Sequence, residues 1–222
     1  MDLLDFKKQH IRQTLGIPPE DFPRIISFID FANVNKWFTK DMFDENGVSL
    51  PAGKELTVDL QKLAGFLRLF SDDVRFYYGT DPRNPGSGKF TGAARYTFGS
   101  GRVFTKDVQR IRHDLTAEEA ARATRAVQSD GAGSFIYIPK CNFDVEITLD
   151  TIRLTNHYDT FCLLSGDADF APLLWHLKRQ GKKIVLIKGG RIQAALGKTL
   201  DVKINAQDIK QYIAVKKQKP GS

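Results

Sequence analysis

Thr160-Phe-Cys-Leu-Leu-Ser165-Gly-Asp167-Ala-Asp169-Phe170-Ala-Pro172-Leu-Leu-Trp-His-Leu-Lys-Arg-Gln180-Gly-Lys-Lys183-Ile-Val-Leu-Ile187 is the stretch whose reading decides the fold. Thr160 to Leu164 is a short apolar run of strand length, and Lys183 to Ile187 is another. Between them Phe170 to Gln180 is predicted helical. Strand alternating with helix favours a parallel sheet with helices on both faces.

The same alternation extends outward in both directions. Upstream, Gly131 to Gly133 breaks the chain before Ser134-Phe-Ile-Tyr-Ile138, a further predicted strand, and a helix is expected from Asp144 to His157. Arg24-Ile-Ile-Ser-Phe-Ile-Asp30-Phe reads as a buried strand. Leu60, Leu63, Leu67 and Phe70 recur at three- and four-residue steps, which puts them on one helix face. Val74 to Gly79 is another strand, and Thr116-Ala-Glu-Glu119 opens a helix with a capping-box pattern. Downstream, Arg191 to Val215 is expected to add a short helix, a short strand and a closing helix. Residues 1–22 read as a helical extension ending in the turn from Gly16 to Pro19, residues 23–215 as one α/β domain, and residues 216–222 as a disordered basic tail.

Composition fits this plan. A chain of 222 residues with 41% hydrophobic content can build one domain around a real core. Lys and Arg number 33 against 26 Asp and Glu, so the net charge of +7 favours a polyanionic partner such as nucleic acid, although a merely solvated basic surface has the same composition. Two cysteines, Cys141 and Cys162, argue against a disulfide scaffold and fit a reducing cytoplasm. The four histidines show no zinc-ligand spacing. No apolar stretch is long enough for a bilayer, so a cytoplasmic protein without membrane contact is expected.

Asp81 to Gly101 is rich in Gly and Pro and interleaves Arg83, Lys89 and Arg95 with Phe90, Tyr96 and Phe98. It reads as a mobile basic flap. Aromatic faces stack on unpaired bases while cations hold phosphates, so a single-stranded nucleic-acid surface is one reading of this mixture. The plainer reading is a surface loop with packed anchors.

Ligands of open parallel sheets bind beyond the carboxyl ends of the strands. Aspartate occurs at three such places: Asp30 after the first strand, Asp144 after the Ser134 strand, and Asp167 with Asp169 after Leu164. Carboxylates held together repel and raise each other's pKa, and a cation relieves the repulsion. Oxygen-only ligands select Mg²⁺ or Mn²⁺, whose chemistry at such a site is phosphodiester hydrolysis. Taken singly, Asp144 or Asp169 could equally be a helix N-cap.

Phe28-Ile-Asp30-Phe-Ala-Asn33-Val, Phe143-Asp144-Val-Glu-Ile-Thr-Leu-Asp150 and Leu164-Ser165-Gly166-Asp167-Ala-Asp169-Phe170-Ala-Pro172 together resemble the signatures of the NYN domain, a PIN-like nuclease fold. The similarity runs from about Arg24 to Val215. It implies a three-layer, Rossmann-like α/β fold and a metal-dependent endoribonuclease with Asp30, Asp144 and Asp167 as metal ligands and Asp169 as a fourth catalytic acid. Asn33, Ser165 and Lys140 would then touch substrate, with Arg83, Lys89 and Arg95 as outer contacts. Asp150 also matches a familiar position, but six helical residues turn about 600° from Asp144, so it is secondary. Lys140 stands one residue farther from Asp144 than the resemblance leads one to expect, and the Asp81 to Gly133 region exceeds the minimal domain.

Three rival readings remain. A non-cleaving RNA-binding or regulatory module could keep the fold and pocket. Asp167-Ala-Asp169 could instead belong to a nucleotide-sugar transferase or a Toprim domain. A Toprim site wants glutamate where this chain has Asp30, and a transferase gives no reason for Asp30 and Asp144 to converge on the motif.

Overall fold

A computed structural model describes residues 2–123, 126–190 and 194–218. Asp2 caps the first helix, α1 (Leu3–Thr14), by accepting the Asp5 amide at 2.7 Å. The chain then enters β1 (Ile25–Asp30), buried from Ile25 to Ile29, and the single turn α2 (Phe31–Val34). Next come β2 (Lys54–Val58), α3 (Leu60–Leu67), β3 (Asp73–Thr80), α4 (Pro85–Phe98) and β4 (Val103–Asp107). A small antiparallel arm follows, made of β5 (Gln109–Leu115), α5 (Ala117–Arg122), β6 (Gln128–Asp130) and β7 (Gly133–Lys140). The rest is α6 (Asp144–Arg153), β8 (Thr160–Leu164), α7 (Ala171–Arg179), β9 (Lys183–Lys188), α8 (Ala194–Gly197), β10 (Val202–Asn205), α9 (Lys210–Ile213) and β11 (Ala214–Gln218).

Six strands form one parallel sheet in the order β10-β9-β8-β1-β3-β4. Its inner strands are apolar on both faces because helices cover both. On one face Ile25, Ile29, Phe76, Cys162 and Val185 pack with Ile11, Leu63, Leu67, Ala94 and Ile213 from α1, α3, α4 and α9. On the other, Phe28, Tyr77, Phe161, Leu163 and Leu186 pack with Ile147, Leu173, Leu174, Leu177 and Leu196 from α6, α7 and α8. This is the three-layer α/β arrangement expected from the sequence. Among the described residues, no helix is long and apolar enough to cross a membrane.

Three local expectations are corrected. The segment read as a mobile flap contains a fourteen-residue helix, α4. Asn84 caps it, Pro85 occupies its first turn, and Ser87, Thr91, Ala94 and Phe98 form its buried face. Phe90 packs 5.0 Å from Phe31 and 4.6 Å from Tyr78, so two of the three aromatics assigned to bases serve the core, while Tyr96 is exposed. The Ser134 to Ile138 strand lies in the antiparallel arm and outside the central sheet.

The third correction concerns the tail. Lys216 and Lys217 belong to β11, which pairs antiparallel with β2, and Lys216 Nζ stands 2.6 Å from the buried carboxylate of Asp44. Lys219 and the rest of the expected tail lie outside the described residues. Ending the chain after Val215 should therefore lower the melting temperature by a few degrees, since β2 loses most of its partner strand and Asp44 loses its cation. A thermal melt unchanged by this truncation would mean that the Lys216–Gln218 segment contributes nothing to the fold.

Candidate metal centre

β1 lies inside the sheet with β3 on one side and β8 on the other. After β1 the chain builds outward through β3 and β4, then comes back to β1's other edge and builds outward through β8, β9 and β10. Connections that diverge from a central strand in this way leave a crevice beyond its carboxyl end. Asp30 is the last residue of β1, and Ser165 follows the last residue of β8.

Ser165 is buried and ties the two strand ends together. Its hydroxyl donates to Asp30 Oδ2 at 3.0 Å and accepts the Asp167 amide at 3.2 Å. Asp167 Oδ1 in turn accepts the Asp169 amide at 3.1 Å. Lys188 crosses close over Gly166: its Nζ approaches the Gly166 carbonyl at 3.4 Å, and a Cβ on Gly166 would stand 2.7 Å from Lys188 Cε, so a larger residue there would displace the lysine side chain.

Asp144 arrives from α6. It is the first residue of that helix, with Phe143 at the cap position, so the capping role that its sequence context allowed is not the one it plays. Asn142 brackets it, with Nδ2 donating to Asp144 Oδ2 and Oδ1 accepting the Asp144 amide, both at 2.8 Å. One carboxylate oxygen each from Asp144, Asp167 and Asp169 lie within 4.8 Å of one another. Bonds of about 2.1 Å to Mg²⁺ place octahedral ligands roughly 3 to 4 Å apart, so small side-chain rotations would let all three share one cation. Asp30 is outside this triplet but lines the same cavity, of about 700 Å³, with Asp144 and Asp167.

The electrostatics record the crowding. Burial pushes the Asp30 carboxyl above its ordinary range, with the charges of Asp144 and Asp167 adding to the rise and the Ser165 hydroxyl opposing it. Asp144 is raised for the same first reason, with Asp167 and Asp169 adding to it and Asn142 opposing it. An all-oxygen donor set with excess negative charge fits a hard divalent cation.

Of the other expected residues, Asn33 and Lys140 line the cavity. Ser165 does not: it is fully buried, with its hydroxyl engaged with Asp30 and the Asp167 amide. Arg83, Lys89 and Arg95 lie on and before α4, exposed, and none of them lines the cavity. Asp150 faces elsewhere, as the helical rotation required, accepting the Tyr77 hydroxyl at 2.7 Å beside Arg75. Lys36, Trp37 and Lys40, which sequence reasoning missed, line the cavity just past α2. Lys36 and Lys40 stand four residues apart, a spacing that could have been noticed, but nothing in the sequence says that the chain after α2 turns along the site. Among the described residues, Lys36, Lys40 and Lys140 make no ion pair with a protein carboxylate.

A family model, the NYN domain, matches residues 24–208, and the chain belongs to that family of PIN-like nuclease folds. A crystal structure of a protein of unknown function from Vibrio parahaemolyticus is similar with a TM-score of 0.57 at 18% identity, covering 86% of this chain and 96% of that one. At that identity the likeness shows the fold alone. A solved structure described as the basis for the mechanism and regulation of Sir2 enzymes matches with a TM-score of 0.43 and 12% identity over 91% of this chain and 94% of that one, too loosely to argue from. No curated protein matches the chain.

Raised carboxyl groups favour the protonated folded state, so the burial of Asp30 and Asp144, with the repulsion of their neighbours added, removes stability as pH climbs from the ordinary carboxylate range through the raised folded values. In EDTA at neutral pH, Asp144→Asn should melt a few degrees above the parent, and the gap should close as pH falls into the carboxylate range. Added Mn²⁺ should stabilise the parent more than the variant. Equal melts in EDTA with no response to Mn²⁺ would show that the acids do not act as one site.

Proposed function

We propose that this protein is a divalent-metal-dependent endoribonuclease that hydrolyses RNA phosphodiester bonds in the Asp30, Asp144, Asp167 and Asp169 crevice. The observation that carries the reading is the close approach of Asp144, Asp167 and Asp169, from two separate parts of the chain, beside Asp30 at the reversal of strand order. Asp144, Asp167 and Asp169 would hold Mg²⁺ or Mn²⁺, with Asp30 completing the site from the floor of the cavity. A divalent cation held there supplies Lewis-acid activation of water and neutralises charge at the leaving oxygen.

The chain's own residues have separable tasks. Ser165 holds Asp30 in place and fixes the backbone that aims Asp167. Asn142 does the same for Asp144. Lys36, Lys40 and Lys140 line the cavity beside the acids, and they would meet the phosphates flanking the scissile one. Asn33 would orient a phosphate or the attacking water. The Trp37 ring packs against Gly189, its buried indole N–H has no hydrogen-bond partner among the described residues, and it shapes the wall of the cavity. Arg83, Lys89 and Arg95 would serve RNA that extends past the cavity onto α4. Single-stranded RNA suits an open crevice that admits one backbone.

With labelled single-stranded RNA and Mn²⁺, the parent should cleave, EDTA should abolish cleavage, and Asp167→Asn should slow it on the order of a hundredfold or more. Asp150→Asn should retain activity. Replacing Lys36, Lys40 and Lys140 together by alanine should flatten the dependence of log binding constant on log salt by about two units, at roughly 0.7 per phosphate contact on single strands. Cleavage that survives EDTA or Asp167→Asn would place the chemistry elsewhere; RNA binding without cleavage would favour a non-cleaving module.

A further inference from the structure

The mixture of cations and aromatics expected between Asp81 and Gly101 occurs beside the cavity just past α2, where Lys36, Trp37, Lys40 and Phe43 follow one another within eight residues. Lys36, Trp37 and Lys40 line the cavity that holds the acids. Beyond them the chain makes a small hairpin, closed by the bridge between Phe43 and Ser49 and by the Leu50 amide, which donates to the Met42 carbonyl at 2.9 Å. Its tip is locked from inside. Buried Asp44 accepts the Asn46 and Val48 amides, both at 2.9 Å, and pairs with Lys216 at 2.6 Å. Lys210 fastens the start of the hairpin, with Nζ 2.9 Å from Asp41 Oδ2 and 3.3 Å from the Phe43 carbonyl. Yet Met42, Phe43 and Val48 are 71%, 55% and 59% exposed. A firmly held loop thus keeps three large apolar side chains in solvent.

We propose that this hairpin is a base-stacking platform for single-stranded RNA that leaves the cavity, with Phe43 taking the face of an unpaired base. The identity of the polymer rests on the nuclease reading. Charge selects the occupant: among the described residues Lys36 and Lys40 pair with no carboxylate, and both line the cavity immediately before the hairpin. A phosphate backbone crossing that wall neutralises them, whereas an apolar protein surface would have to bury two unpaired charges. The spacing agrees. Lys40 and Phe43 are three residues apart, a reach of at most about 11 Å, which is the rise of roughly three stacked nucleotides at about 3.4 Å each. Because every base has an aromatic face, such a platform adds affinity for single strands without sequence preference. Because the hairpin is fixed before RNA arrives, little ordering opposes the contact. A duplex, whose bases already stack on one another, offers Phe43 no face to cover.

Fluorescence anisotropy of a labelled single-stranded oligoribonucleotide, with the full chain in EDTA, measures binding apart from cleavage. Phe43→Ala should weaken binding on the order of tenfold and leave its salt dependence unchanged, since a stacked base contributes no phosphate contact. Phe43→Trp should bind as the parent does, while Phe43→Leu should bind as weakly as Phe43→Ala, which separates stacking from general apolar contact. The same RNA as a duplex should bind parent and Phe43→Ala alike. All three variants should melt as the parent does, because the ring is exposed. A parent that does not bind single strands, a Phe43→Ala variant that binds them undiminished, or one that loses duplex equally would overturn the platform; undiminished binding together with loss of self-association would mark the patch as a contact between copies. Cleavage in Mn²⁺ is read separately. Binding that depends on Phe43 without cleavage would uphold the platform and sink the nuclease reading, and cleavage with binding indifferent to Phe43 would do the reverse.

Discussion

Parallel strands that build outward in opposite directions from a central strand leave its carboxyl end uncovered, and everything else about this molecule follows from what that opening holds. β1 ends in Asp30 at the opening, β8 delivers Ser165 and Asp167 beside it, and α6 brings in Asp144. Placing several carboxylates in one half-buried crevice is electrostatically unfavourable, as the raised Asp30 and Asp144 groups show. The fold tolerates it by local hydrogen bonds. Ser165 and Asn142 each donate to one acid and also engage backbone amides, so every donation to a carboxylate also fixes main chain. What remains uncompensated is a net negative charge, and a cation is the group that resolves it.

Charge of the opposite sign surrounds this centre without neutralising it. Lys36, Lys40 and Lys140 share the cavity, and among the described residues none of them makes an ion pair with its acids. The lysines that line it are exposed, whereas Asp30, Asp144 and Asp167 are half-buried. On the proposed function, that arrangement would separate the groups that meet phosphate from those that would hold the metal, and it would give the overall charge of +7 a local meaning. Cys141 also lines the cavity, but burial pushes its thiol above the ordinary range, so it is suited to packing rather than to nucleophilic attack.

Much of this was legible in the sequence, and the failures have physical causes. β1, β8 and β9 are mostly apolar runs because both faces of the sheet are covered, and such runs are visible without a structure, as is the aromatic run of β3. The Ser134 to Ile138 run has the same composition but lies in an arm with Tyr137 and Ile138 exposed, so apolar content alone could not place it. α4 contains Gly86, Gly88 and Gly92 after Pro85, a composition that reads as loop; the anchoring of Phe90, Ala94 and Phe98 in the core outweighs that weak helix propensity. β2 and β11 were missed because each is half-exposed and finds its partner only across the whole chain. In the site, the acids were found because their residue types fit one chemistry at strand ends. Lys36, Trp37 and Lys40 follow a single-turn helix, and no periodic signal reports which way such a segment turns.

The central claim is that carboxylates from separate parts of the chain form one cation site. The most direct test is anomalous diffraction from a crystal soaked in Mn²⁺. The account predicts a manganese peak within coordination distance of Asp144, Asp167 and Asp169, on the cavity side that faces Asp30. Well-ordered carboxylates with no manganese between them, under conditions where RNA is cleaved, would contradict it.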